Sequence, residues 1–287
     1  MKKGMKILLK KIAVIPNKNK DLNLEGTKQI VDMIMASGIE ALLENEYRES
    51  GINARYVDKS EFAGADMLVV LGGDGTILTA AREYGMYNVP LLGINHGRLG
   101  FLAEIEKTDT DSFLKVIKGE YNIAYHMMLK VKIGDLGFCA LNDAVIHRGG
   151  FSRMLEFSLS IDKKHVTSIL ADGLIISTPT GSTAYSLSAG GPIADPALEV
   201  LIVTPICSHD LHSRSIILPS CKDVQISLKG SKSCRAYLAL DGQNRYDIKG
   251  EENIIVSGGD KIGLVRTNDS SFYEKLRMKF YNKQNGG

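Results

Sequence analysis

Five apolar residues in a row, Met67-Leu68-Val69-Val70-Leu71, run into Gly72-Gly73-Asp74-Gly75-Thr76, after which Ile77, Leu78, Ala80 and Ala81 recur at helical spacing. A short run that is apolar throughout and bounded by glycine predicts a strand buried on both faces, so this stretch reads as strand, glycine turn, helix. Upstream, residues 11–16 predict a first strand ended by Pro16. Thr27, Ile30, Val31, Ile34 and Met35 then share one helical face, with Gly38 as the stop. Ala41, Leu42 and Leu43 extend that pattern into a short second helix. Residues 89–94 predict a third strand. Phe113, Leu114, Val116 and Ile117 predict another helix, with Asp109 or Thr110 as N-cap and Gly119 as stop. Strands alternating with helices predict an open parallel sheet.

Near Tyr121 the rhythm changes. Residues 129–133, 155–161 and 224–228 alternate apolar and polar side chains, the period-two pattern of half-buried strands. Residues 235–240, 253–256 and 261–267 add short strands separated by Gly or Asp. Many short strands with frequent turns predict an all-β, sandwich-like unit. Phe272, Leu276 and Phe280 then restore a helical stripe at the C-terminal end. The pattern predicts an α/β N-terminal domain with a parallel sheet over residues 1–120 and an all-β C-terminal domain over residues 121–267. The helix within 268–287 has an apolar side that must dock, and packing back on the first domain is expected.

Composition narrows the classes. Of 287 residues, 44% are hydrophobic and 24% charged, as in globular proteins with a substantial core. The net charge is +2, from 35 Lys and Arg against 33 Asp and Glu, which gives no case for electrostatic binding of nucleic acid. Cys139, Cys207, Cys221 and Cys234 form no C-x-x-C pair and read as reduced thiols of a cytoplasmic protein. The lysine-rich start has too short an apolar part for a signal peptide, and no stretch is apolar enough to span a membrane.

Candidate chemistry gathers at four places. Backbone N–H groups at the glycine turn and the helix N-terminus favour phosphate, and Gly72, Gly73 and Gly75 let a ligand approach. Asp74 beside such a cradle would repel phosphate unless it holds a metal ion or takes a proton from an attacking hydroxyl. The plainer reading is a tight turn with a solvated Asp. Asn142-Asp143 suits a ribose diol, the carboxylate accepting from hydroxyls and the amide doing both, or else is ordinary turn chemistry. Residues 172–192 open from a strand into a loop dense in hydroxyls, with Tyr185 offering a face for a base; a solvated loop is the alternative. Asp241-Gly242, before Gln243, favours a hairpin turn. His209 and His212 stand at i, i+3 with no third ligand nearby, so no metal site is expected from side chains.

The order of these stretches resembles one family. Gly72-Gly73-Asp74-Gly75-Thr76, Asn95-His96-Gly97-Arg98-Leu99-Gly100-Phe101-Leu102, Asn142-Asp143, the Thr-Pro-Thr-Gly-Ser-Thr-Ala-Tyr-Ser-Leu-Ser-Ala-Gly-Gly-Pro stretch and Asp241-Gly242-Gln243 resemble bacterial NAD kinase from about residue 12 to the C-terminal helix. The glycine turn alone is shared with diacylglycerol, sphingosine and phosphofructokinase relatives; the long hydroxyl-rich stretch is the specific element. The resemblance implies transfer of a phosphoryl group from ATP (or polyphosphate) to the adenosine 2′-hydroxyl of NAD, with a divalent cation, Mg²⁺ or Mn²⁺, in a cytoplasmic homodimer or homotetramer. It implies that Asp74 accepts the hydroxyl proton, that Gly75 lines the same pocket, and that Asn142 and Asp143 hold the ribose; the N–H groups of Gly72, Gly73 and Gly75, with Mg²⁺, are expected to hold the donor phosphates. Asp172 would contact the nicotinamide end, and Thr183, Ala184, Tyr185 and Ser188 would enclose the adenine. Arg153 and Gln243 match peripheral dinucleotide contacts. Asp143 stands where many relatives have Glu, and Leu170 where many have a basic or polar residue, so no contact is carried over to Leu170. A lipid kinase and a non-catalytic dinucleotide sensor are the rival readings.

Overall fold

The computed structural model describes residues 9–95, 100–150, 153–229, 235–248, 252–267 and 271–280. The chain divides into two compact units, Met1–Tyr125 with Ile262–Gly287, and His126–Lys261. The strands Asn122–Ile133 and Ile254–Arg266 carry the chain from one unit to the other.

In the first unit the strands Leu91–Asn95, Met67–Leu71, Lys11–Ile15, Glu40–Glu44 and Arg55–Val57 pair in that order, all parallel. The strand Met67–Leu71 is buried at every position, as its unbroken apolar run predicts for a parallel sheet covered on both sides. Helices Glu25–Ala36, Asp74–Tyr84 and Thr110–Ile117 return the chain between strands. Asp109 caps the last of these, its side chain accepting from the Ser112 N–H. One expectation fails: Ala41, Leu42 and Leu43 form a strand, not a helix. Their composition favours helix weakly, but Ala13 registers on Leu42 and Leu42 on Arg55, and all three side chains are buried. Pairing on both edges and burial on both faces override an intrinsic preference of a few tenths of a kcal/mol per residue.

The helix Phe272–Phe280 packs on this same unit. Phe280 stacks on Phe101 with ring centroids 6.0 Å apart, Phe272 approaches the same ring at 6.3 Å, and the Lys279 ammonium lies 4.5 Å from its centroid.

The second unit is all antiparallel. Strands Ile216–Pro219, Val200–Ile206, Gly173–Ser177, Asp143–Arg148, Ala236–Leu240 and Asn244–Ile248 form a six-stranded sheet. Facing it are Lys164–Ala171, Leu155–Ile161, Val224–Lys229 and the opening of the strand Ile254–Arg266. Inward side chains of both layers, among them Phe157, Ile226, Leu174, Ile176 and Leu238, make one core, which is the sandwich that alternation predicts. The two strands expected over residues 253–256 and 261–267 are one long strand, Ile254–Arg266.

Candidate functional site

In the first unit the site grows out of the strand Met67–Leu71. Gly72 donates its N–H to the Ile94 carbonyl at 2.8 Å, so that donor is committed to the sheet. What Gly72 contributes is space: a Cβ there would stand 2.3 Å from the Thr76 hydroxyl, which accepts from the Asn17 amide at 2.6 Å. Gly73 is the N-cap of the eleven-residue helix Asp74–Tyr84, its carbonyl accepting from the Thr76 and Ile77 N–H groups, so the positive end of the helix dipole stands at the turn. The Lys20 ammonium lies 3.6 Å and the Asn95 side-chain oxygen 3.7 Å from the place a Gly73 Cβ would occupy. Lys20 is exposed and was not singled out from sequence, where it is one of several scattered lysines. Its only signal is its place just after the first strand, in the loop after Pro16.

Asp74 is not a solvated turn residue. Its Oδ2 accepts from the Phe101 N–H at 2.8 Å, and its Oδ1 from the Leu102 and Ala103 N–H groups at 3.1 and 3.2 Å. Gly100 makes that approach possible, since a Cβ there would lie 1.9 Å from the carboxylate. Among the described residues these three bonds take three of the carboxylate's four acceptor positions and leave one, on Oδ2. Of the sequence stretch that precedes this cradle, residues 96–99 lie outside the described residues, as do Lys2, Lys3, Lys6 and Cys234.

In the second unit the polar residues collect at the two ends of the six-stranded sheet. Asp143 opens its strand opposite Ser177 and is buried. The turn Asp241-Gly242 does close the hairpin between Ala236–Leu240 and Asn244–Ile248, with positive φ at both residues and a bond from the Gln243 N–H to the Leu240 carbonyl. It also does something that hairpin chemistry alone does not suggest. The Asp241 carboxylate accepts from the backbone N–H groups of Leu141, Asn142 and Asp143, at 3.2, 2.7 and 3.3 Å. The turn therefore fixes the Asn142–Asp143 backbone. Burial, with the Asp241 charge beside it, pushes the Asp143 carboxyl up to about 7.

The hydroxyl-rich stretch is no solvated loop. It is a 3₁₀ turn, Thr180–Thr183, followed by the short helix Tyr185–Ser188. Four of its hydroxyls are buried and serve as staples. Thr178 donates to the Leu141 carbonyl at 2.6 Å, Thr180 meets His126 Nδ1 at 2.8 Å, Ser182 bonds both backbone groups of Ala194, and Ser186 meets Thr204 at 3.2 Å. Gly181 fits so closely against Asn142 that a Cβ would stand 2.1 Å from its carbonyl oxygen. Of the residues that follow, Tyr185 and Ser188 are exposed, Tyr185 by 42%, while Thr183 and Ala184 are half-buried and the Thr183 hydroxyl donates to the Thr180 carbonyl at 3.3 Å. Burial raises the Tyr185 phenol above its ordinary value, and the charges of Asp143 and Asp172 each add a little in the same direction.

Asp172 sits at the other end of the sheet, where its carboxylate pairs with the Arg148 guanidinium at 2.7 Å. Asp143 and Asp172 are thus separated along the strand Asp143–Arg148, roughly 15 Å of extended backbone. That spread suits an elongated ligand better than a single sugar. Arg153 and Gln243 are exposed. Among the described residues, no group of three or more His, Cys, Asp or Glu side chains could hold a metal ion.

An α/β unit with a phosphate-favouring glycine turn, joined to a sandwich with an elongated polar surface, has the architecture of a nucleotide kinase. Residues 12–121 match the ATP-NAD kinase N-terminal domain and residues 141–266 the ATP-NAD kinase C-terminal domain. The chain is 40% identical over 285 residues to an NAD kinase of Caldanaerobacter subterraneus subsp. tengcongensis, covering 94% of this chain and 99% of that one. It is 40% identical over 287 residues to an NAD kinase of Acetivibrio thermocellus, covering 95% and 98%. A crystal structure of yeast NADH kinase complexed with NADH superposes with a TM-score of 0.85 over 98% of this chain and 89% of that one, at 24% identity. An NAD kinase from Archaeoglobus fulgidus in complex with ATP gives 0.71 over 93% and 98%, at 23% identity. At those identities the structural likeness speaks for the fold. The chain belongs to the NAD kinase family.

Proposed function

We propose how this member of the NAD kinase family, which phosphorylates NAD to NADP with ATP, divides that work among its residues. The first unit takes the donor. The N-terminus of the helix Asp74–Tyr84 and the Lys20 ammonium beside Gly73 receive the ATP phosphates. The second unit takes the dinucleotide, with Asn142 and Asp143 on a ribose diol, Tyr185 against the adenine among Thr183, Ala184 and Ser188, and Asp172 toward the nicotinamide end. Arg153 and Gln243 serve its periphery. Asp74 orients the adenosine 2′-hydroxyl and takes its proton as the oxygen bonds to phosphorus. Phosphoryl transfer asks for alignment and charge stabilisation more than covalent chemistry.

The observation that carries this reading is the state of Asp74. Three amides hold the carboxylate, and among the described residues one acceptor position remains on Oδ2. A base must be both fixed and able to accept, and this one is. No side-chain cage for a divalent cation exists among the described residues. Mg²⁺ commonly binds through substrate phosphates and water with one or two carboxylates, so the cation would travel with ATP, where it neutralises phosphate charge. The family resemblance carries the further proposals of polyphosphate as an alternative donor, a homodimer or homotetramer, and a cytoplasmic location. No described helix is long and apolar enough to cross a membrane.

Incubating the protein with ATP, Mg²⁺ and NAD should give NADP phosphorylated at the adenosine 2′-position. Phosphorylation of lipid but not NAD would favour the lipid-kinase reading, and tight NAD binding without product would favour a sensor. Removing the stacking face in Tyr185→Ala is expected to raise the NAD KM more than it lowers kcat; steady-state kinetics read the split, and the reverse pattern contradicts a binding role.

Asp143 gives a pH prediction. Its carboxyl lies near 7 in the folded chain and near the ordinary Asp value of about 3.9 when unfolded. Between those values the folded state holds the extra proton, so stability from this group falls as pH rises toward 7. Ribose hydroxyls donate to the ionised form, so NAD affinity should rise as pH rises through that same window, with proton release on binding. Calorimetry in buffers of different ionisation enthalpy checks this, and Asp143→Asn should flatten the profile.

A further inference from the structure

The cradle that holds Asp74 is itself held from behind. The Glu104 side chain is completely buried, and its carboxylate accepts from the Arg266 guanidinium at 2.9 Å, from the Thr267 N–H and hydroxyl at 2.9 and 2.8 Å, and from the Lys275 ammonium at 2.9 Å. Burial alone would push the Glu104 carboxyl up, but the charges of Lys275 and Arg266 outweigh it and hold it below the ordinary value. The network also grips the backbone. Arg266 donates to the Leu102 carbonyl at 3.0 Å, and Lys275 to the Ala103 carbonyl at 2.9 Å. Leu102 and Ala103 therefore have their carbonyls fixed by these two cations and their N–H groups fixed on Asp74. The third amide belongs to Phe101, whose ring is packed by Phe272, Phe280 and Lys279 of the same C-terminal helix.

We infer that Lys275 is a positioning residue for phosphoryl transfer: by fixing the Ala103 carbonyl and Glu104, it sets the orientation of the amide cradle that aims Asp74. Its side chain is only 11% exposed, although it lies on a helix near the C-terminal end that falls outside both matched family segments. A lysine is strongly hydrated and rarely buried without a reason beyond surface contact. The helix as a whole buries little, and none of its residues is fully buried. Its tightest attachments run to the segment 101–104, which is the segment that touches Asp74. Small displacements there matter, because a base must sit within hydrogen-bond reach of its proton.

This inference rests on Asp74 acting as the base, and the test separates the two claims. Lys275→Met and Lys275→Arg are made in the full chain, each alone and on an Asp74→Asn background, with melting temperature, kcat and NAD KM measured. Lys275→Met should lower kcat roughly 10- to 100-fold, with NAD KM within about twofold of the parent. Lys275→Arg, which keeps charge and donors, should recover most of the turnover. On the Asp74→Asn background, Lys275→Met should cause no further loss, because a residue that acts through Asp74 has nothing left to position. Unchanged kcat in Lys275→Met, or an equal loss on both backgrounds, would overturn the positioning role while leaving Asp74 in place. Full turnover in Asp74→Asn alone would overturn the base itself and this inference with it. Should Lys275→Met melt below the assay temperature, Lys275→Gln, which keeps a donor for the Ala103 carbonyl, is held to the same criteria.

Discussion

Asp74→Asn is expected to lower turnover by roughly 10²- to 10⁴-fold, the usual contribution of a positioned general base, while NAD binding persists. The expectation has a structural side. An asparagine can turn its oxygen toward Leu102 and Ala103, but its amide nitrogen then meets the Phe101 N–H that Oδ2 accepts in the parent. One partly buried donor is left unpaired, which costs about 1–3 kcal/mol. A modest fall in melting temperature should therefore accompany a large fall in kcat. The residues assigned to NAD lie in the other unit, where the Asn142 and Asp143 backbone keeps its bonds to Asp241 and the Asn142 carbonyl its bond from Thr178. Calorimetric NAD affinity near the parent value, together with lost turnover, is the expected pair of readings. Lost affinity with retained turnover per bound NAD would contradict it.

Gly181→Ala is expected to raise the NAD KM by about tenfold or more and to destabilise the second unit by about 1–3 kcal/mol, as for other forced overpacking. The added carbon would meet the carbonyl oxygen, carbonyl carbon and Cα of Asn142 at 2.1, 2.5 and 2.7 Å. All three are backbone atoms, so no side chain can swing away. The backbone there is also pinned by Asp241 from one side and by the Thr178 N–H and hydroxyl from the other. Something must move, and the nearest movable groups are Asn142 and Asp143. Gly137→Ala is the matched control: no atom lies within 4 Å of its added carbon, and its KM and melting temperature should be unchanged. If Gly181→Ala binds NAD as the parent does, Asn142 and Asp143 are not the ribose contacts.

What could be read from the sequence, and what could not, follows from the range of the contacts. The strand Met67–Leu71 and its turn were legible because burial on both faces writes itself as an unbroken apolar run. The sandwich was legible from strands such as Leu155–Ile161, Val224–Lys229 and Ala236–Leu240, which alternate, whereas Asp143–Arg148, Gly173–Ser177 and Val200–Ile206 are buried in unbroken runs. The strand Glu40–Glu44 was not, since alanine and leucine say helix unless neighbouring strands are already known. At the site, residue types were informative and their duties were not. Thr178, Thr180, Ser182 and Ser186 look like ligand hydroxyls in the sequence, yet each is spent on the protein's own groups. Asp241 read as a hairpin residue, which it is, but its carboxylate serves amides about one hundred positions away in the chain. Lys275 reaches Ala103 across 172 positions. No local pattern encodes such pairs; they exist only once the sheets have set the register.

The most direct measurement is a crystal structure of the protein with NAD and a non-hydrolysable ATP analogue. Asp74 Oδ2 should lie within about 2.6–3.2 Å of the adenosine 2′-oxygen, with the Phe101, Leu102 and Ala103 amides still on the carboxylate. A 2′-oxygen bonded to other groups, with Asp74 facing only its backbone amides, would contradict the assignment of this carboxylate as the proton acceptor.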